Sequence, residues 1–408
     1  MQVNSNRLLD RIFRMNTIGA LPGGGNCRLA LSDEDKAARD LLVEWMKKER
    51  LEIKIDELGN TYGIRPGNSA LPALAIGSHL DTVSTGGNYD GTYGVLAGLE
   101  VISVLNESKI TTERPVVLIN FTNEEGARFA PDMMGSLVVS KPHLLDEIWK
   151  SVALDNDKAS IKSELQRIGY LGTVPCGSIP VEYYLELHIE QGPILENEQI
   201  NIGCVEKVQG IYWTEYILRG QAAHAGTTPL VNRKDPGLLA SRLNVFLRQL
   251  AEETPRQLGT IGLMEFYPNV INVVPERVRL ITDLRNPDHA LLQSAQKKLD
   301  AFLTEEASRG GIGVERSERV RLAPVDFSME VVERIKSASD QLGLSSKRMV
   351  SGAGHDAQMM AAFANAAMIF VPSVGGISHN VKEYTAPKDL TNGANVLLQT
   401  ALALSNKR

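Results

Sequence analysis

The stretch Ile211-Tyr-Trp-Thr-Glu-Tyr-Ile-Leu-Arg219 is a β-rich run, and the order of elements after it decides the architecture. The chain then reads as helix over Pro236–Ala251, strand over Gly259–Tyr267, strand over Arg277–Leu284, helix over Ala290–Ala307 and strand over Ile312–Val320. That βαββαβ order is a self-contained ferredoxin-like unit. On either side of it lie short apolar strands at Leu74–Gly77, Val116–Phe121, Tyr183–His188 and Met368–Val371. Helical stretches accompany them at Gly94–Leu105, Val331–Leu342 and Leu390–Leu404. Further upstream, Ser32-Asp-Glu-Asp35 precedes Ala38, Leu41, Leu42 and Trp45, the pattern of a capped amphipathic helix. The fold is therefore expected to be α/β, with a discontinuous domain over 1–210 and 323–408 and a smaller domain, 211–322, inserted at hinges near Gly210 and Ala323.

With 408 residues the chain is long enough for two or three domains. Its 43 Lys and Arg against 49 Asp and Glu give a net charge of −6, without the basic excess of nucleic-acid or anionic-membrane binders. Hydrophobic residues at 43% and charged residues at 23% are those of an ordinary globular protein. Cys27, Cys176 and Cys204 are odd in number and far apart, so neither a disulfide framework nor a thiolate cluster is indicated, and a reducing cytoplasm fits. No stretch reads as a signal peptide or a membrane span.

Four of the seven histidines sit in short polar motifs at the ends of apolar runs, where strands deliver side chains to a cleft. In Gly77-Ser-His-Leu-Asp-Thr-Val83, His79 and Asp81 point to the same side of an extended chain, so Asp81 could orient a metal-bound His79; a capping acid beside a surface histidine is the plainer alternative. Asp90, between glycines ahead of a helix, reads as an N-cap or as a carboxylate able to bridge two cations. Glu124 and Glu125 end the strongest strand run; either both are solvated, or one binds a metal while the other is a general base. His188 and Gln191 come after another strand, and His379 lies in a glycine-rich loop. His79, His188, His379, Asp90 and Glu125 together offer only nitrogen and oxygen donors, a set suited to two zinc or similar divalent ions.

The segments GSHLDTV, GGNYDG, FTNEEGARF, ELHIEQGP, GQAAHAGTTP, NVVPERV, SGAGHDA and GISHNVKEYT, spread over about residues 77–385, resemble the zinc-dependent carbamoylase, ureidopropionase and allantoate amidohydrolase family, a branch of the dinuclear aminoacylase and carboxypeptidase superfamily. The resemblance implies a dinuclear-metal hydrolase domain whose inserted domain serves as lid and dimerisation surface. It implies His79 and His188 on one metal, Glu125 and His379 on the other, Asp90 between them, Glu124 as base and Asp81 behind His79. His224 would reach the site from the partner of a homodimer and polarise the scissile carbonyl. Asn272 and Arg285 match substrate contacts, and a guanidinium fork suits an α-carboxylate. Gln191 would contact the ureido group, and the Gly352–Asp356 loop, including Gly354 and His355, would approach the substrate, although His355 and Asp356 could equally cap the next helix. His143 and His289 read as surface or structural residues, and the cysteines as core fillers.

The reaction so implied is hydrolysis of an N-carbamoyl L-amino acid or β-ureido acid to the amino acid, ammonia and carbon dioxide. FTNEEGARFAPDMMGS is closer to carbamoylases than to allantoate amidohydrolases, so allantoate is the runner-up and an N-acyl amino acid or peptide the third substrate class. Zinc is expected, with Mn²⁺, Co²⁺ or Ni²⁺ as alternatives. A catalytically silent relative would have lost ligands or base, all of which are present; a metal-free binding protein closing on small acids would anchor them on Arg285.

Overall fold

The computed structural model describes residues 1–155 and 158–407. The strands are β1 (Glu52–Ile55), β2 (Thr61–Arg65), β3 (Ala73–His79), β4 (Val116–Phe121), β5 (Val181–Ile189), β6 (Ile202–Val208), β7 (Gly210–Arg219), β8 (Ala223–His224), β9 (Leu258–Tyr267), β10 (Val273–Val274), β11 (Arg277–Asn286), β12 (Gly313–Leu322), β13 (Val325–Asp326), β14 (Ser346–Ser351) and β15 (Asn365–Val371). Two compact units result, Met1–Glu206 with Asp326–Arg408, and Lys207–Val325.

The first unit holds most of a nine-stranded sheet in the order β1-β2-β4-β3-β5-β15-β6-β13, with β14 also paired to β6. At its centre β4, β3, β5 and β15 run parallel. β3 and β4 are buried along their whole length, which is why they read as unbroken apolar runs rather than as alternation. Parallel alignment matters for function: His79 pairs in register with Phe121, and His188 with Phe370, so four strands end at one edge and hand their loops to the same place. The helix Thr92–Glu107 is apolar nearly all round and buried through Leu105 against this sheet. The helix Pro387–Ser405 packs beside it.

In the second unit β7, β9, β11 and β12 form an antiparallel sheet in the order β12-β7-β11-β9. β11 alternates strictly, its buried face meeting helices Pro236–Glu253 and His289–Gly310 in a core of Tyr212, Tyr216, Leu243, Leu247, Leu280, Leu299 and Leu303. Asp235 and Asp288 cap those helices through backbone N–H groups of Leu238 and Leu291. The two-residue strands β8 and β10 pair with His224 opposite Val273.

The strands and helices expected from the sequence are present, most with longer ends; the helix expected over Val331–Leu342 runs Met329–Gln341 and the strand expected over Ile312–Val320 runs Gly313–Leu322. Strands β1, β2, β6 and β14 carry no unbroken apolar run and are not legible in the sequence. Among the described residues no helix is long and apolar enough to cross a membrane, and all three cysteines are unpaired. Ser32 accepts the Asp35 N–H at 3.2 Å, as the capped-helix pattern requires. Ser32→Ala is expected to lower unfolding free energy by about 1 kcal/mol in denaturant titrations.

Candidate metal centre

His79 is the last residue of β3 and His188 the penultimate residue of β5. Each ring is held by its Nδ1, His79 on the Asp81 carbonyl and His188 on the Ile189 carbonyl, both at 2.9 Å. This leaves each Nε2 aimed at the same oxygen: Asp90 Oδ1 lies 3.6 Å from His79 and 3.1 Å from His188. A ring nitrogen fixed on a carbonyl, with the other presented inward, is how histidine is prepared as a metal ligand. Gly91, at φ +59°, makes the approach possible, since a Cβ there would fall 2.4 Å from the His79 ring.

The other oxygen of Asp90 faces a second group. His379 Nε2 stands 3.4 Å from Asp90 Oδ2 and 3.2 Å from Glu125 Oε2. Asp90 is buried and makes no side-chain cap to the helix behind it, which leaves its carboxylate to face the histidines. Two sets, His79–Asp90–His188 and Asp90–Glu125–His379, gather their donor atoms within 4.8 Å. Bonds of about 2.0–2.2 Å to a tetrahedral ion put neighbouring donors roughly 3.3–3.6 Å apart. The observed 3.1–3.6 Å overlaps that range, so the donors around Asp90 have the spacing of ligands to a divalent ion.

Glu124 is buried beside this cluster, its Oε2 3.4 Å from His79 Nε2. Burial, then the charges of Asp356, Glu125, Asp81 and Asp90, push its carboxyl well above the usual range. Asp90 goes the other way: against the cost of burial, His188, His379 and His79 hold it well below the usual range. For His188, Asp90 outweighs burial and raises the imidazole to about 9. Hydrogen bonds to Asp90 and Glu125 raise His379 to about 11.

Several predicted residues are placed differently from expectation. Asp81 orients His79 through its main-chain carbonyl; its carboxylate, pushed up to about 6 by burial, instead accepts the backbone N–H groups of Glu124 and Glu125, both at 3.2 Å. Gln191 donates to Asp90 Oδ2 at 2.7 Å, so its amide steadies the shared carboxylate. His355 is buried edge-on against His188 at 4.6 Å with Nε2 3.0 Å from Ser351 Oγ, and burial holds its pKa well below the usual histidine range. Neither His355 nor Asp356 caps the following helix by a side chain: Asp356 accepts the Ser136 hydroxyl at 2.6 Å, and Gly354 lies beside Met133. In a third group of possible donors, Glu186–His188–His355, the Glu186 carboxylate is committed to scaffolding, because it accepts Ser78 Oγ, Ala357 N and Tyr184 OH.

In the inserted unit His224 is exposed, and its Nδ1 accepts the N–H groups of Gly226 and Thr227 at 3.0 and 3.3 Å, which makes Nε2 the proton-bearing nitrogen. The Asn272 carbonyl accepts Ala225 N–H, bringing these two predicted segments together. Arg285 Nε and Nη2 donate to Asp283. His143 is at the surface, and His289 bonds Tyr212 OH and Gln293. Residues not singled out from the sequence include Arg28, fully buried, which donates to the carbonyls of Leu80 and Ile18 and to Thr92 Oγ1. Asn123 and Glu383 belong with it; an acid at the end of a glycine-rich motif is the available signal for the last.

The carboxylates around His188 and His379 favour their protonated imidazoles, and a ligand nitrogen must be bare, so a cation entering this cluster competes with protons. Divalent-ion affinity is therefore expected to fall with decreasing pH, by about tenfold per unit for each proton displaced. Calorimetric titration of chelator-treated protein in buffers of different ionisation enthalpy checks this through net proton release.

Residues 75–403 match the profile of Peptidase family M20/M25/M40. An N-carbamoyl-L-amino-acid amidohydrolase of Rhizobium meliloti is 40% identical over 404 residues, 98% of this chain and 96% of that one. An allantoate amidohydrolase of Bacillus subtilis (strain 168) is 33% identical, covering 96% of each. The crystal structure of a hydantoinase/carbamoylase family amidase from Burkholderia multivorans superposes with a TM-score of 0.94 at 42% identity, covering 100% of this chain and 99% of that one. Likeness of this extent, in sequence and backbone alike, leaves one conclusion about descent: the chain belongs to Peptidase family M20/M25/M40, and its relatives there include carbamoyl amino acid and allantoate amidohydrolases.

Proposed function

We propose that this protein is a metal-dependent amidohydrolase that cleaves the ureido C–N bond of N-carbamoyl-L-amino acids or N-carbamoyl-β-alanine, releasing the amino acid, ammonia and carbon dioxide. The observation that carries the reading is Asp90 offering one oxygen to each of two histidine groups with buried Glu124 alongside. His79, His188, Asp90, Glu125 and His379 would hold two ions, most simply Zn²⁺, with Mn²⁺, Co²⁺ or Ni²⁺ as alternatives. Such ions supply Lewis acidity, making a water nucleophilic near neutral pH and polarising a carbonyl. Glu124 takes the proton of the attacking water and returns it to the departing nitrogen; its burial and acidic surroundings favour holding a proton between those two steps. The relative from Rhizobium meliloti supports the carbamoyl amino acid as substrate. The relative from Bacillus subtilis keeps allantoate as the second reading.

For the inserted unit we propose the role of lid and dimerisation surface. His224 supports this: its Nε2–H is a donor suited to a developing oxyanion, and the loops that follow it and precede β10 expose Leu230, Val231, Val270 and Ile271. In that arrangement His224 serves the partner's site, while Asn272 and Arg285 bind the substrate. The unpaired cysteines agree with a cytoplasmic setting.

Ammonia release from a panel of carbamoyl amino acids, carbamoyl-β-alanine and allantoate tests the substrate; the carbamoyl compounds are expected to turn over fastest, and hydrolysis of allantoate alone would reverse the order. Glu124→Gln is expected to lower kcat by about 10²–10⁴-fold or more with metal content unchanged by elemental analysis. Mixing inactive His224→Ala and Glu124→Gln proteins is expected to restore activity through hybrid dimers. No recovery in demonstrably mixed dimers would place His224 in its own subunit's site.

A further inference from the structure

The loop that carries His379 ends in an acid with no assigned role, Glu383, only 4% exposed. Its Oε1 accepts the backbone N–H groups of Tyr89 at 2.8 Å and Asp90 at 3.2 Å. Its Oε2 lies 3.0 Å from the hydroxyl of Ser378, which in turn lies 2.9 Å from Asp90 Oδ2. One side chain therefore grips two segments nearly three hundred residues apart, the turn bearing Asp90 and the turn bearing His379. Space is kept for it: a Cβ on Gly87 would come within 2.0 Å of the Glu383 carboxylate.

Both turns need such a grip. His379 has a positive φ of +52°, a backbone state that non-glycine residues adopt only when their surroundings impose it. The Asp90 turn reverses at Gly91, φ +59°, and without Glu383 the N–H groups of Tyr89 and Asp90 would lose this acceptor. His79 and His188, by contrast, are set by strand ends and by carbonyls of their own segments. Asp90 is common to both halves of the cluster, but the half that also contains His379 draws two of its donors from turns that Glu383 holds, and the other half only one.

We propose that Glu383 is a positioning residue that sets the spacing between Asp90 and His379, and so selectively maintains the cation site formed by Asp90, Glu125 and His379. Its carboxylate oxygens are engaged by Tyr89, Asp90 and Ser378, so it acts through those residues. The inference rests on the dinuclear reading given above, but it concerns one half of the centre, which makes the two separable by experiment.

The test is Co²⁺ titration of the chelator-treated full-length protein, following bound cobalt per chain by equilibrium dialysis and ligand geometry by visible absorption. Wild type is expected to bind two ions. Glu383→Ala is expected to lose about 10–100-fold at the site containing His379, the usual effect of removing a residue behind a ligand, and distinctly less at the other, which shares only Asp90 with it. Glu383→Asp, which retains the charge but withdraws the carboxylate by one methylene, is expected to do the same, and it carries the test if the alanine variant does not fold. Glu383→Gln keeps an acceptor for both N–H groups and is expected to restore most of the second binding step. A general loss of stability would weaken both sites together. Variants that bind two ions as wild type does, or that lose both in parallel, overturn the role given to Glu383. A wild-type protein that never binds two ions overturns the dinuclear reading instead.

Discussion

A buried carboxylate shared among three imidazoles is the constraint around which this molecule is organised. Burying a charge is costly unless it is paired and hydrogen-bonded, and Asp90 has both compensations in full. Its Oδ1 faces His79 and His188, and its Oδ2 receives the Gln191 amide and faces Ser378 and His379. The arrangement holds a dense set of opposite charges in a small volume. That is unfavourable for a stable core but suited to a site that exchanges imidazole protons for cations.

The sheet makes this concentration possible. Parallel strands end on the same side, so residues far apart in sequence arrive together without long loops. Behind the candidate ligands, polar residues replace what regular pairing would otherwise supply. The Asp81 carboxylate takes the two N–H groups of the Glu124–Glu125 turn, Asn123 donates to the carbonyls of Phe129 and Pro131, and Arg28 gathers carbonyls from two segments. Backbone groups at the strand ends are thereby satisfied although they lie outside any ladder, which keeps the turns in one shape.

How much of this is visible in the amino-acid order depends on how each feature is written there. Strands β3, β4, β5 and β15 are legible because both faces are buried, and the inserted unit because β11 alternates while its flanking helices carry an apolar stripe. Edge strands such as β1 and β14 mix charge with isolated apolar residues and give no periodic signal. The candidate ligands are legible because histidine and acid at the ends of strands are uncommon together. Finer roles are not. Asp81 carries two kinds of acceptor, and only three dimensions distinguish its carbonyl on His79 from its carboxylate on the neighbouring turn. Gln191 likewise looks like a substrate contact by motif, while its position beside Asp90 depends on a residue about a hundred positions earlier.

The inserted unit leaves and rejoins its host at adjoining points, for the Phe327 N–H donates to the Glu206 carbonyl at 2.9 Å. A long excursion whose two ends already meet adds little closure entropy to the host sheet. Such a junction behaves as a splice. The sheet can acquire, exchange or shed the whole appendage by a single genetic event without reordering its own strands.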